Sequence, residues 1–183
     1  MKSKILKISI VGRTNAGKST LINKIIGEKI SIQNKKINTT QEMIIGIKNI
    51  KNIQILFYDT PGSNFLKNSK NQSKKLKQNL WNGIDESDLI LYMIDSLTLN
   101  MHFLYDQIDK IKEVKKKIFI VFNKIDLISK KKLLPIISEI NNKFKIESFF
   151  TLSAKNNIGI QELLSELIKY SYSSKWIYSK DEI

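Results

Sequence analysis

Short apolar runs recur along the chain and predict its architecture. Residues 89–94 (Leu-Ile-Leu-Tyr-Met-Ile) and 118–122 (Ile-Phe-Ile-Val-Phe) are apolar at every position, and residues 5–11 become so toward their end. A half-buried strand alternates, whereas a strand covered on both faces does not. These runs therefore predict central strands. Residues 43–50 and 53–58 are β-rich and are separated by Lys51-Asn52, which predicts a hairpin. A further strand is predicted over 147–152. Helical periodicity covers 19–26, about 69–81, 101–112, 133–144 and 160–170. Residues 29–41 are polar and aperiodic, and predict a loop. Strands alternate with helices, so the expected class is α/β: a mainly parallel sheet with helices on both faces and one antiparallel strand from the hairpin. The sequence has no internal repeat and no interdomain linker. The stretch after Tyr170 reads as an exit from the domain.

Composition narrows this picture. A chain of 183 residues suits one domain, and 42% hydrophobic with 26% charged residues is ordinary for a soluble globular protein. No apolar run approaches the roughly 18 residues of a membrane span. Lys7 and Ser9 interrupt the N-terminal run, which excludes a signal peptide. Cysteine is absent, so disulfides and thiolate metal sites are excluded; a reducing, cytoplasmic compartment fits. The formal net charge of +14 has two readings. One is a phosphate-rich partner such as RNA or an anionic membrane surface. The other is a genome whose A/T-rich codons supply Ile, Asn and Lys alike.

The chemistry is concentrated in four motifs. Gly12-Arg13-Thr14-Asn15-Ala16-Gly17-Lys18-Ser19, continued by Thr20, lies between a predicted strand and a predicted helix. Its glycines let backbone N–H groups wrap a phosphate, Lys18 brings a cation to the β and γ phosphates, and Ser19 offers a hydroxyl to Mg²⁺. The chain has only 7 glycines, so a chance turn at this spacing is a poor account. Asp59-Thr60-Pro61-Gly62 follows an apolar run. A strand-end carboxylate can hold Mg²⁺ through a water, and the Gly62 N–H can approach a γ-phosphate; the same tetrapeptide is also good turn chemistry. Asn123-Lys124-Ile125-Asp126 ends another strand. Asp126 can accept from guanine N1–H and N2–H₂, whereas adenine would leave it unpaired. Asn123 can bond the N7 side and neighbouring backbone, and Lys124 can lay its stem along the base. Ser153-Ala154-Lys155 can supply a backbone N–H to O6. Together these residues predict GTP or GDP as ligand.

These motifs in this order resemble the translation-factor-like GTPases. With the Asn38-Thr39-Thr40 loop, residues 89–95 and the tail 176–181, they resemble in particular the GTPase domain of the Era family of bacterial ribosome-assembly GTPases. The resemblance implies a Ras-like P-loop fold, three-layer αβα, with a six-stranded mostly parallel sheet and one antiparallel edge strand. It implies that Thr40, or Thr39 beside it, closes on Mg²⁺ and the γ-phosphate, joining Ser19 and Asp59 as the metal set. Lys18, Thr40 and Asn15 are the residues expected to carry catalysis. Asn15 matches a loop asparagine that binds K⁺ in potassium-activated relatives; the alternative is that it only tolerates an unusual backbone conformation.

Two departures matter. Ser63 stands where Ras-like enzymes keep a water-orienting Gln, which implies slow intrinsic hydrolysis. Nothing after Gly159 contains the Gly-x-x-Gly loop of the family's RNA-gripping KH domain. The expected organisation is a G domain over 1–172 and, over 173–183, the start of a linker. Lys67, Lys70, Lys74, Lys75 and Lys77 either meet rRNA phosphates or form a solvated helix face. The single His102 is given no role. The function implied is a GTP-hydrolysing switch acting on the small ribosomal subunit and its 16S rRNA, monomeric, without DNA, and in the cytoplasm with peripheral contact at the inner membrane face. The alternatives are a nucleotide-dependent docking module with negligible hydrolysis, or the G domain of a tRNA-modification GTPase.

Overall fold

The strand that opens the chain, β1 (Lys4–Gly12), is buried along nearly its whole length, as its apolar sequence requires. The computed structural model describes residues 2–27, 32–37, 41–60 and 74–179. After β1 come α1 (Lys18–Ile26), β2 (Ile32–Ile37), β3 (Gln41–Ile50) and β4 (Ile53–Asp59). Then follow α2 (Lys74–Glu86), β5 (Leu89–Asp95), α3 (Met101–Lys112) and β6 (Lys117–Asn123). The chain continues through α4 (Leu133–Phe144), β7 (Ser148–Thr151), α5 (Ile160–Leu167) and the short β8 (Tyr172–Ser173).

The sheet order is β2-β3-β4-β1-β5-β6-β7. β4, β1, β5, β6 and β7 run parallel. Each side of the sheet carries its own core. On one, Leu6, Ile8, Phe57, Leu91, Met93 and Phe119 pack against α1 and α5. On the other, Val11, Ile90, Tyr92, Ile120 and Phe122 pack against α2, α3 and α4. Alternate residues of β5 thus enter opposite cores, which explains its unbroken apolar run. Each fully buried side chain of this size contributes about 1.5–3 kcal/mol relative to exposure. Helix ends are closed by specific groups. Asn100 Oδ1 accepts from Phe103 N at 2.8 Å to start α3, and Ser87 Oγ donates to Ile84 O at 2.8 Å where α2 stops.

The α/β class is as expected, but three details differ. Among the described residues the sheet has eight strands, not six. β2 lies inside 29–41, where a loop is predicted. The sequence Gln33-Asn34-Lys35-Lys36 carries no alternation of apolar and polar residues; the strand pairs antiparallel with β3, from Ile32↔Gly46 to Ile37↔Gln41. The antiparallel margin, β2 and β3 beside β4, is therefore two strands deep.

The third difference is the tail, which docks rather than exits. β8 pairs antiparallel with Lys4 and Ile5 of β1, on the stretch that β5 leaves open by starting at Ile8↔Leu89. Gln54, fully buried in β4, then holds the chain beyond it. Its Oε1 accepts from Ile177 N at 2.9 Å and Tyr178 N at 3.1 Å, and its Nε2 donates to Tyr178 O at 3.0 Å. A buried amide needs such partners, and the tail supplies them. Tyr178 completes a small core with Ile47, Leu56 and Tyr58. The helix predicted over 69–81 is described from Lys74 and continues to Glu86.

Candidate nucleotide-binding site

The motifs converge at one end of the sheet. Gly12 ends β1, Asp59 ends β4, Asn123 ends β6, and Ser153 follows β7. In parallel sheets, ligands bind outside these carboxyl ends.

The phosphate loop is shaped by two glycines and an asparagine at positive φ: Gly12 (156°), Gly17 (96°) and Asn15 (65°). A Cβ on Gly12 would collide with the Met93 carbonyl oxygen, and one on Gly17 with the Asn123 amide. Ala16 N donates to Arg13 O at 3.1 Å and closes the turn. Lys18 is buried, and its ammonium donates to Gly12 O at 3.2 Å and Arg13 O at 3.1 Å. Burial pulls its pKa below the ordinary lysine value, while the Asp59 charge acts in the opposite sense. Neutral carbonyls solvate this cation without neutralising it; a phosphate does both. Arg13, Thr14 and Asn15 are exposed around the loop, with the Arg13 guanidinium 5.0 Å above the Phe103 ring.

Ser19 Oγ donates to Asp59 Oδ2 at 2.7 Å, so two of the three residues expected at Mg²⁺ stand in contact. Both present hard oxygens. Among the described residues no cluster of three or more His, Cys, Asp or Glu could hold a metal alone. That donor set fits Mg²⁺, which takes one or two protein oxygens and completes its shell with phosphates and water. Thr60 is spent internally, its Oγ1 donating to Ile10 O at 2.6 Å. Thr40, Pro61, Gly62 and Ser63 lie outside the described residues.

The base loop is strapped to the phosphate loop by Asn123. Its Nδ2 donates to Ala16 O at 2.8 Å and its Oδ1 accepts from Ala154 N at 2.9 Å. Its amide thus spends one hydrogen bond on each neighbouring backbone segment. Asp126 is exposed and lines a pocket of about 360 Å³ with Gly17, Thr20, Asn123, Lys124, Leu127, Ser153, Ala154 and Lys155. Ile125 does not line it: its side chain is buried in the core, and its N–H reaches Leu152 O at 3.3 Å. Ser153 N donates to Ile158 O at 3.0 Å, and Ser153 Oγ accepts from Asn156 N at 3.2 Å. Of the N–H groups expected to serve guanine O6, those of Ser153 and Ala154 are therefore already engaged.

Asp95 is a site residue that sequence reasoning left without a role. Its Oδ2 accepts from Lys124 Nζ at 2.6 Å and its Oδ1 from Leu97 N at 3.0 Å. Burial alone would raise its pKa, but the Lys124 and Leu97 hydrogen bonds outweigh that and hold it below the ordinary aspartate value. Lys124, in the left-handed region at φ 64°, is thereby held across the pocket wall. The available signal was register: Asp95 ends its strand directly opposite Asn123.

A family model described as the 50S ribosome-binding GTPase matches residues 7–124. The chain belongs to this GTPase family. GTPase Era of Agrobacterium fabrum is 34% identical over 176 residues, covering 96% of this chain and 55% of that protein. GTPase Era of Buchnera aphidicola subsp. Acyrthosiphon pisum is 44% identical over 165 residues, covering 88% and 56%. A crystal structure of Era in complex with MgGDPNP and nucleotides 1506–1542 of 16S ribosomal RNA superposes with a TM-score of 0.80 at 33% identity, covering 98% of this chain and 61% of that one. The chain spans just over half the length of these relatives. The chain's αβα layering and mostly parallel sheet agree with that structure, as the Era resemblance implied.

Proposed function

We propose that this chain is a GTP-hydrolysing switch that acts in assembly of the small ribosomal subunit. The observation that carries this is a single pocket lined both by Gly17 and Thr20 of the phosphate loop and by Asp126 of the base loop. Such a pocket selects a guanine and a phosphate chain together. The similarity to Era, solved with 16S rRNA, supports the ribosomal partner.

Lys18 and the N–H groups of its loop stabilise charge that develops on the transferring phosphoryl group. Ser19 and Asp59 are the described residues that would hold Mg²⁺, joined by Thr40 from the switch loop. Bound there, Mg²⁺ would neutralise charge on the phosphates. No described side chain in the site is placed as a general base, so catalysis rests on positioning and electrostatics. Intrinsic turnover is correspondingly slow. Asn15, exposed at φ 65° in the glycine loop, is the residue through which K⁺ would act. Residues 1–172 make up the nucleotide-binding unit and 173–179 its docked extension. The protein works as a monomer in the cytoplasm, beside ribosomes. Among the described residues no helix is long and apolar enough to cross a membrane; the basic surface would allow peripheral contact.

Asp126→Asn tests the guanine reading. Asn can donate to a 2-oxo group, so GTP affinity falls about a hundredfold or more while xanthosine triphosphate gains. Unchanged preference for GTP would sink the assignment. Phosphate release in K⁺ against Na⁺ tests the enzyme reading: K⁺ stimulates, and Asn15→Ala removes the stimulation. No turnover in either salt would leave a docking module instead.

A further inference from the structure

A second concentration of charge lies at the opposite end of the sheet. Between the α3–β6 and α4–β7 turns is a pocket of about 350 Å³, lined chiefly by Lys112, Lys115, Lys116, Lys117, Lys145 and Glu147. Three of the lysines are committed to the fold. Lys112 Nζ donates to Phe144 O at 2.7 Å, at the end of α4. Lys116 Nζ donates to Ile84 O at 2.5 Å and to Asp85 O and Ser87 O at 2.6 Å, at the end of α2. Lys117 pairs with Glu147 at 2.7 Å.

Lys115 and Lys145 differ. Both sit in the left-handed region, at φ 53° and 50°, where glycine is the favoured residue. Both are exposed. Among the described residues neither ammonium has a hydrogen-bond or ion-pair partner. Their turns adjoin because β6 and β7 pair in parallel, so two uncommitted cations share one rim above three more. Such crowding of like charge is relieved by a polyanion.

We propose that this end of the domain docks the phosphodiester backbone of RNA, with Lys115 and Lys145 on neighbouring phosphates. This rests on the RNA partner of the proposed function and gives it a surface. RNA suits the site better than an anionic bilayer, because the surface is concave. A bilayer is also met by exposed apolar side chains beside the charges; of the isoleucines lining this pocket Ile118 is buried and Ile146 half-buried, and the exposed Leu97, Leu127, Leu134, Ile158, Tyr172 and Ile177 lie elsewhere. β6 runs from Lys117 here to Asn123 at the nucleotide, a separation of about 20 Å at strand rise. Docking here leaves the nucleotide pocket open.

The test is fluorescence anisotropy of labelled single-stranded RNA with the full chain across a salt series. The Lys115→Gly/Lys145→Gly variant removes both charges at positions glycine prefers, so its melting temperature and GDP affinity do not fall. Its RNA affinity drops about tenfold at low salt, and the log–log salt slope decreases by about 1.4 for two lost phosphate contacts. Lys24→Gln/Lys131→Gln removes the same charge from exposed positions elsewhere and stays near wild type. Equal losses in both variants, or no loss in the glycine pair, overturn the surface while the RNA reading stands. Failure of the wild-type chain to bind RNA at any salt, or its binding to phosphatidylserine vesicles instead, overturns both.

Discussion

Lys18 and Lys116 make the same kind of local contact at opposite ends of one sheet. Each aims an ammonium at backbone carbonyls, Gly12 and Arg13 for the first, Ile84, Asp85 and Ser87 for the second. Burial lowers the pKa of both, with nearby carboxylates opposing it. Their surroundings separate them. Lys18 has the Ser19–Asp59 oxygen pair and a glycine-shaped loop around it, and in the proposed function phosphate would replace its carbonyl partners. Lys116 closes the end of α2, where carbonyls carry the negative end of the helix dipole, and no ligand replaces those. A lysine aimed at backbone carbonyls thus reads as a binding group or a helix cap according to whether those carbonyls have other work.

The largest effect that would break this contrast comes from Lys18→Met. Nucleotide affinity should fall by about a hundredfold or more, about 3 kcal/mol, as read by titration with a fluorescent GDP analogue, while the melting temperature holds or rises. A loss of stability instead would make Lys18 a structural cap like its counterpart. Asn123→Ala comes next. It strands the buried Ala16 carbonyl and Ala154 N–H, so both stability and affinity drop, stability by about 2–3 kcal/mol in urea unfolding. Lys116→Met should cost about 1 kcal/mol of stability and leave GDP binding untouched. Asp95→Asn frees Lys124 and weakens GDP binding several-fold. Asp95 also gives a pH signature. Its pKa is lowered on folding, so its contribution is present above the unfolded value of about 3.9 and is lost as pH falls through the folded one. The stability gap between wild type and Asp95→Asn should therefore close as pH falls through this range, as read by urea unfolding at a series of pH values. Smallest of all, Lys117→Gln at the exposed pair with Glu147 should leave the melting curve unchanged.

The central strands and the phosphate loop were legible because their determinants are local. An unbroken apolar run reports burial on two faces, and Gly12 with Gly17 reports a backbone that a Cβ would block. β2 was not legible. Its polar sequence shows no alternation, and the strand is seen only in its pairing with β3. The docked tail was missed for a related reason: Gln54 looks like any polar residue until its bonds to residues 177 and 178 are seen. Within the site, the residue types of Asn123 and Asp126 pointed to guanine. That Asn123 bonds backbone on both sides, and that Asp95 steers Lys124, depended on contacts between distant segments.

Asn123 has a consequence for which ligands the protein accepts. It bonds the phosphate loop on one side and the Ala154 segment on the other, and Gly17 lacks the methyl that would push them apart. The span from base reader to phosphate cradle is therefore fixed by the fold before any ligand arrives. Under the proposed function the pocket would work as a gauge of length as well as of hydrogen-bond pattern: a free guanine or a lone phosphate would fill one jaw, and a molecule that joins the two at nucleotide spacing would close both.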